Sequence, residues 1–158
     1  MTALALVLGY VEHLIPLPIG IYGIKLGLAN ILPLTLLYFS APLLAFSLNF
    51  LRIFLSGILF GNPISIIYSL AGAILSGVVM LLSKKILKLS TVSVGILGGV
   101  SHNLGQIIVA IFLTETPKIA LYFPILAITG ALTGLLVGVI STLISSNRQL
   151  SALFSKIK

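Results

Sequence analysis

The chain has 158 residues, of which 59% are hydrophobic and only 7% charged, with a mean hydropathy of +1.28. A soluble domain of this size could not cover its surface with so few charges, so the composition defines an integral membrane protein. Cysteine is absent, which excludes disulfides and thiolate metal sites. The net charge of +7 would suit nucleic acid, but the basic residues gather at Lys84, Lys85 and Lys88 and again at Arg148, Lys156 and Lys158. Such clusters follow the positive-inside rule for membrane proteins.

A spanning helix needs about 20 apolar residues, and the long unbroken runs here suit helices rather than the alternating strands of a barrel. Proline and glycine punctuation predicts six spans, at about 2–15, 25–41, 43–61, 63–83, 91–114 and 118–145. The first is short and ends in Glu12, His13 and two prolines. It lacks the basic lead and small-residue cleavage site of a signal peptide, so it reads as a retained helix. No repeat or long linker divides the chain, and the expectation is one all-α domain over residues 1–158.

Six spans put both termini on one side. The Lys84–Lys88 loop and the basic tail place that side in the cytoplasm. Three outer connections remain: residues 16–24, the Gly61-Asn62-Pro63 turn and the Glu115 to Lys118 loop. Directions through the bilayer then assign depths. Glu12 and His13 fall near the outer end of the first span. Lys25 falls at the outer rim of the second, with Asn30 about 7 to 8 Å deeper at 1.5 Å per residue. Asn49 and Arg52 fall around the midplane of the third span, and His102, Asn103 and Gln106 from the middle to the outer half of the fifth.

Four spans therefore carry their strongest polar groups into one half of the bilayer. Arg52 is the most demanding of them, because an ionisable residue inside a membrane helix needs a partner, a cavity or a ligand. His102 and Gln106 are four residues apart on one helical face, with Asn103 overlapping it, and a single cavity is expected to receive all three. Gly95, Gly98, Gly99 and Gly105 leave room for close helix approach or for a ligand. The loop at 16–24 is placed to act as a lid over the cavity mouth.

Each residue also has a structural reading. Arg52 can neutralise Glu12, Lys25 can snorkel to headgroups, and His102 can be a packing histidine. Asn30, Asn103 and Gln106 can join helices through hydrogen bonds, at about 0.6 kcal/mol each. Thr129 and Thr133 are expected to bond back to their own helix. His13 is the only other histidine and no Asp or Cys accompanies it, so a metal site is not expected.

A cavity lined by Lys25, Arg52, amides and an imidazole suits an anionic or strongly polar head group, since arginine offers a planar fork and lysine a point charge. Catalysis is poorly supported. The chain has no aspartate and only two glutamates, too few for the acidic clusters that hold Mg²⁺ around a diphosphate, and it has no triad or nucleotide-binding motif. No cofactor is called for. Any energy from nucleotide hydrolysis must come from another polypeptide.

Three segments carry a family resemblance. They are Tyr10-Val-Glu-His with Lys25-Leu-Gly-Leu-Ala-Asn30, the Asn49-Phe-Leu-Arg52 stretch up to Gly57, and Gly98-Gly-Val-Ser-His-Asn-Leu-Gly-Gln106. They resemble the small membrane proteins called heptaprenyl diphosphate synthase component I or the Gx transporter family, which are similar to substrate-binding S components of energy-coupling factor transporters. The resemblance covers nearly the whole chain. It implies a six-helix fold with an outward pocket, and as partners a transmembrane T component and two cytoplasmic ATPases. It also implies a docking face on the first helix, at Ala5 and Gly9. The enzymatic family name implies an alternative: a non-catalytic accessory subunit holding a prenyl diphosphate or quinone.

Overall fold

The computed structural model describes residues 2–14, 30–39, 41–60, 63–148 and 151–152. Six principal helices appear among them: α1 (Thr2–Leu14), α2 (Ile31–Tyr38), α3 (Pro42–Phe60), α4 (Pro63–Lys85), α5 (Thr91–Thr114) and α6 (Phe123–Ser146). A 3-10 turn, Pro117–Tyr122, leads into α6. No strand occurs among the described residues. The expected boundaries of the last four spans agree with these helices to within a few residues, except that the 3-10 turn takes the start of the sixth.

Local chemistry sets several of the ends. Ser90 caps α5 by accepting a hydrogen bond from Ser93 N at 3.2 Å, which satisfies one of the otherwise orphaned N–H groups of a helix start. Glu115 closes the same helix in the left-handed conformation, with φ 50°. Lys88 also has a positive φ of 51°, and the chain folds back there so that Leu89 N reaches the Ser83 carbonyl at 3.2 Å.

Four segments are long and apolar enough to cross a bilayer: Pro42–Leu59, Pro63–Lys85, Thr91–Thr114 and Pro117–Ser146. In α1 and α2 the described helices have 13 and 8 residues. The described part of the second span, α2, is enclosed by its neighbours. Every residue from Ile31 to Leu37 is buried, with α3 and α6 as the main neighbours. The reason lies in its sequence, ILPLTLLY, which is apolar all round, and a helix without a polar face is at home in an interior. Ile31, Leu32, Leu34, Leu36 and Leu37 form the centre of the core, joined by Ala5, Ala45, Leu48, Val94 and Val137. Thr35, fully buried among them, bonds its hydroxyl back to Ile31 O at 2.7 Å.

The tightest packing lies between α5 and α6. A side chain built on Gly99 would begin 2.0 Å from Gly130 O, and one on Gly134 2.3 Å from Gly95 O. These four glycines form a seam in which backbone meets backbone. Lipid tails are as apolar as leucine, so membrane helices gain most from such close van der Waals contact. Outward residues of α6, among them Ile128, Leu132 and Leu143, remain exposed.

Gly99→Leu is therefore expected to destabilise the bundle by about 1–3 kcal/mol, the usual range for overpacking, and to lower its unfolding temperature in detergent. Leu132→Ala, on the lipid side of α6, should change stability by no more than about 0.5 kcal/mol. Equal unfolding temperatures for the two variants would show that the glycine seam does not hold α5 to α6.

Candidate functional site: a cation held by two asparagines

The guanidinium of Arg52 is half-buried on α3 and makes three described hydrogen bonds. Its Nε and Nη2 both donate to Asn49 Oδ1, at 3.2 Å and 2.7 Å, and Nη2 also donates to Asn30 Oδ1 at 3.3 Å. Asn49 lies three residues before Arg52, so helical geometry brings the pair together. Asn30 comes from the start of α2, 22 residues away in sequence. Both amides turn their carbonyl ends to the cation, which places the NH₂ end of each on the far side of its carboxamide. These amides orient the guanidinium.

Behind this cluster is a cavity of about 40 Å³. Asn30, Asn49, Ser76 and Thr133 supply its polar lining, and the backbones of Gly95, Gly98, Gly99 and Gly134 form a wall. It has room for about one water, each taking roughly 30 Å³ in the liquid. Asn49, only 8% exposed, also borders a second and larger space of about 380 Å³ between α3 and α4. One turn beyond Arg52 on the same helix, Ser56 Oγ is buried with no hydrogen-bond partner among the described residues.

The structure separates other residues that the sequence grouped. The His102 imidazole packs on α4, where a side chain on Gly72 would begin 2.8 Å from its Cε1. Asn103 faces the other neighbour, donating from Nδ2 to Leu126 O of α6 at 2.6 Å. Consecutive residues on a helix are rotated by about 100°, so these two point toward different helices and do not share the expected cavity. Gln106 is half-buried one turn after His102. Thr129 and Thr133 bond back to Leu126 O and Gly130 O, at 3.1 Å and 3.2 Å.

Glu12 and His13 fall in the last turn of α1, and their side chains lie outside the described residues, as do Lys25 and the loop at 16–24. Gly9 is half-buried on α1. Ala5 is fully buried in the core. Its position one hundred degrees at a time around α1 turns it inward, while Ala3, Val7, Tyr10 and Val11 are exposed.

A second anchoring point was hidden in the sequence as a loop charge. Lys84 belongs to the last turn of α4 rather than to the connection. Its ammonium donates to the Leu37 carbonyl at the end of α2 and lies 5.1 Å from the centre of the Tyr38 ring. Tyr38 in turn donates its hydroxyl to Leu89 O at 2.7 Å. A cation at a helix C-terminus meets the negative end of the helix dipole, and a ring face adds cation–π attraction. The signal available in sequence was the KK pair at a helix end, which does not reveal the partner 47 residues away.

The fold and the cluster together define an all-helical, membrane-type bundle with a cation and amides inside it, and among the described residues no three His, Cys, Asp or Glu assemble a metal site. The chain belongs to the heptaprenyl diphosphate synthase component I family, whose model matches residues 1–144. No curated protein and no solved structure matches it.

Removing either anchor has a predictable effect. Asn49→Leu withdraws the acceptor of two bonds from a charged donor and is expected to destabilise the fold by about 1.5–3 kcal/mol. Lys84→Met keeps the aliphatic stem while losing the charge, and should lower the unfolding temperature of the protein in detergent. An unfolding temperature unchanged in Lys84→Met would remove the α2 to α4 tie from the account of stability.

Proposed function

We propose that this chain is a membrane-embedded, non-catalytic substrate-binding subunit, the S component of an energy-coupling factor uptake transporter. The observation that carries the reading is the Arg52 guanidinium, oriented inside an apolar bundle by the carbonyl oxygens of Asn49 and Asn30. An oriented fork of N–H donors in a low-dielectric interior is suited to a carboxylate, phosphate or other polar head. Lys25, Glu12, His13, His102 and Gln106 extend the site toward the outer side in this reading, with residues 16–24 above it. The chain is then a multi-pass protein of the cell membrane, with its termini and the Lys84–Lys88 turn cytoplasmic. A T component and two ATPase subunits supply the energy that this chain has no motif to extract.

The family description favours one further reading, an accessory membrane subunit of isoprenoid synthesis. In that case the Arg52 site holds a product or intermediate for a separate synthase. The two readings differ in their partners. Affinity purification of the tagged protein from its native membrane should bring down ATPase and T subunits under the first, and a prenyl synthase under the second.

The binding role itself is tested with the molecule that native mass spectrometry finds retained by the mildly extracted protein. Arg52→Leu is expected to weaken its binding about tenfold or more, since a charge-assisted hydrogen bond contributes about 1.5–3 kcal/mol and each 1.4 kcal/mol is a factor of ten. Arg52→Lys should recover part of the loss. Unchanged affinity in Arg52→Leu, accompanied by lower thermal stability, would assign the arginine to structure alone.

A further inference from the structure

The connection from α4 to α5 carries an exposed tip, Lys85-Ile86-Leu87-Lys88. Its base is fastened at several points. The Lys84 ammonium donates to the Leu37 carbonyl, the Tyr38 hydroxyl donates to Leu89 O at 2.7 Å, and Leu89 N donates to Ser83 O at 3.2 Å. These bonds hold the tip in one shape. Within it Ile86 is 69% and Leu87 62% exposed, and two adjacent aliphatic side chains so open to water forgo the gain of burial.

Ile86 also continues a longer surface. Ile74, Val78, Leu82 and Ile86 are all exposed at intervals of four residues, which makes them one ridge running along α4 to the tip. The helix beneath that ridge is long and apolar enough to cross a bilayer. Its 23 residues extend about 34 Å at 1.5 Å each, against a hydrocarbon core of about 30 Å. A bilayer crossed by α4 therefore meets the tip at the level of its headgroups.

The flanking lysines complete the pattern. Lys85 and Lys88 are exposed, and neither interacts with another described residue. Lys88 has a φ of 51°, a conformation in which glycine or asparagine is at home. The ammonium at that position gains no bond from the fold in return. Lysine stems can lie along apolar surface while their charged ends stay among headgroups.

We propose that the Lys85–Lys88 tip is a binding surface for anionic phospholipids. Ile86 and Leu87 enter the boundary of the bilayer, and Lys85 and Lys88 hold a headgroup of net negative charge beside them. Charge complementarity selects this occupant, because the aliphatic pair can enter any bilayer whereas the two cations favour an anionic headgroup over a zwitterionic one. Continuity with the apolar ridge of α4 favours lipid over an aqueous protein partner. The surface includes no residue of the Arg52 cluster, so it goes beyond the binding reading above and does not depend on it.

The chain contains no tryptophan, so Leu87→Trp gives a single fluorescent reporter at the tip. The protein is placed in phosphatidylcholine nanodiscs with a minor, equal share of lipid brominated near the carbonyl end of its chains, either phosphatidylglycerol or phosphatidylcholine. Brominated phosphatidylglycerol is expected to quench as though enriched about fivefold per lysine over brominated phosphatidylcholine, and the excess should shrink at high salt. Lys85→Gln with Lys88→Asn in the reporter background should abolish it. Asparagine tolerates the left-handed conformation, so this variant keeps the turn. Equal quenching by the two lipids in the parent reporter would overturn the proposal. An excess that survives the double variant would do so as well, by assigning the preference to other cations such as Arg148, Lys156 and Lys158. Water-exposed indole emission that neither lipid quenches would place the tip in solvent and refute lipid as its occupant in favour of an aqueous partner.

Discussion

Arg52 must keep its charge in a helix whose other residues suit lipid, and the arrangement around it follows from that demand. A charge near the middle of a bilayer is tolerated when it faces the bundle interior and finds hydrogen-bond acceptors. Asn49 supplies one on the same helix, but the second, Asn30, comes from the start of α2. Reaching it draws α2 up against α3, and α2 then brings its wholly apolar surface into the centre of the molecule. The cation and the core are thus two consequences of one placement. The opposite end of α2 is fastened in a related way, by the Lys84 ammonium on the Leu37 carbonyl and by Tyr38 on the α4–α5 turn.

On the other side of the core, α5 and α6 are joined by the absence of side chains. Gly95, Gly99, Gly130 and Gly134 allow the two backbones to meet, and Asn103 adds a hydrogen bond across the same contact. The seam also shapes the site, because its glycine backbones form the wall that the Asn30 and Asn49 side chains face across the small cavity. The family to which the chain belongs is named for a synthase component.

Much of the architecture could be read directly. Hydropathy and punctuation placed α3, α4 and α5 to within about two residues, and α6 apart from the 3-10 turn at its start. Asn30, Asn49 and Arg52 were singled out by their cost in a membrane and do meet. The errors share a physical origin. Rotation about a helix axis was not legible, and His102 and Asn103, grouped by their spacing, turn to α4 and α6. Lys84 was read as a loop charge because the helix end that it caps is distant in sequence.

By itself the sequence determined the membrane setting, the all-helical class and the small set of polar residues that have to be accommodated, because composition and hydrophobic length act on each segment independently of its neighbours. Only the tertiary structure decided which of those residues meet. It fixed the burial of α2, the pairing of Arg52 with two asparagines, and the space between α3 and α4 beside Asn49. These depend on which face each helix presents to the others. In a chain that is apolar on nearly every face, periodicity carries little of that information, and it is the packing of glycine seams and the satisfaction of a few polar groups that sets the rotation of each helix.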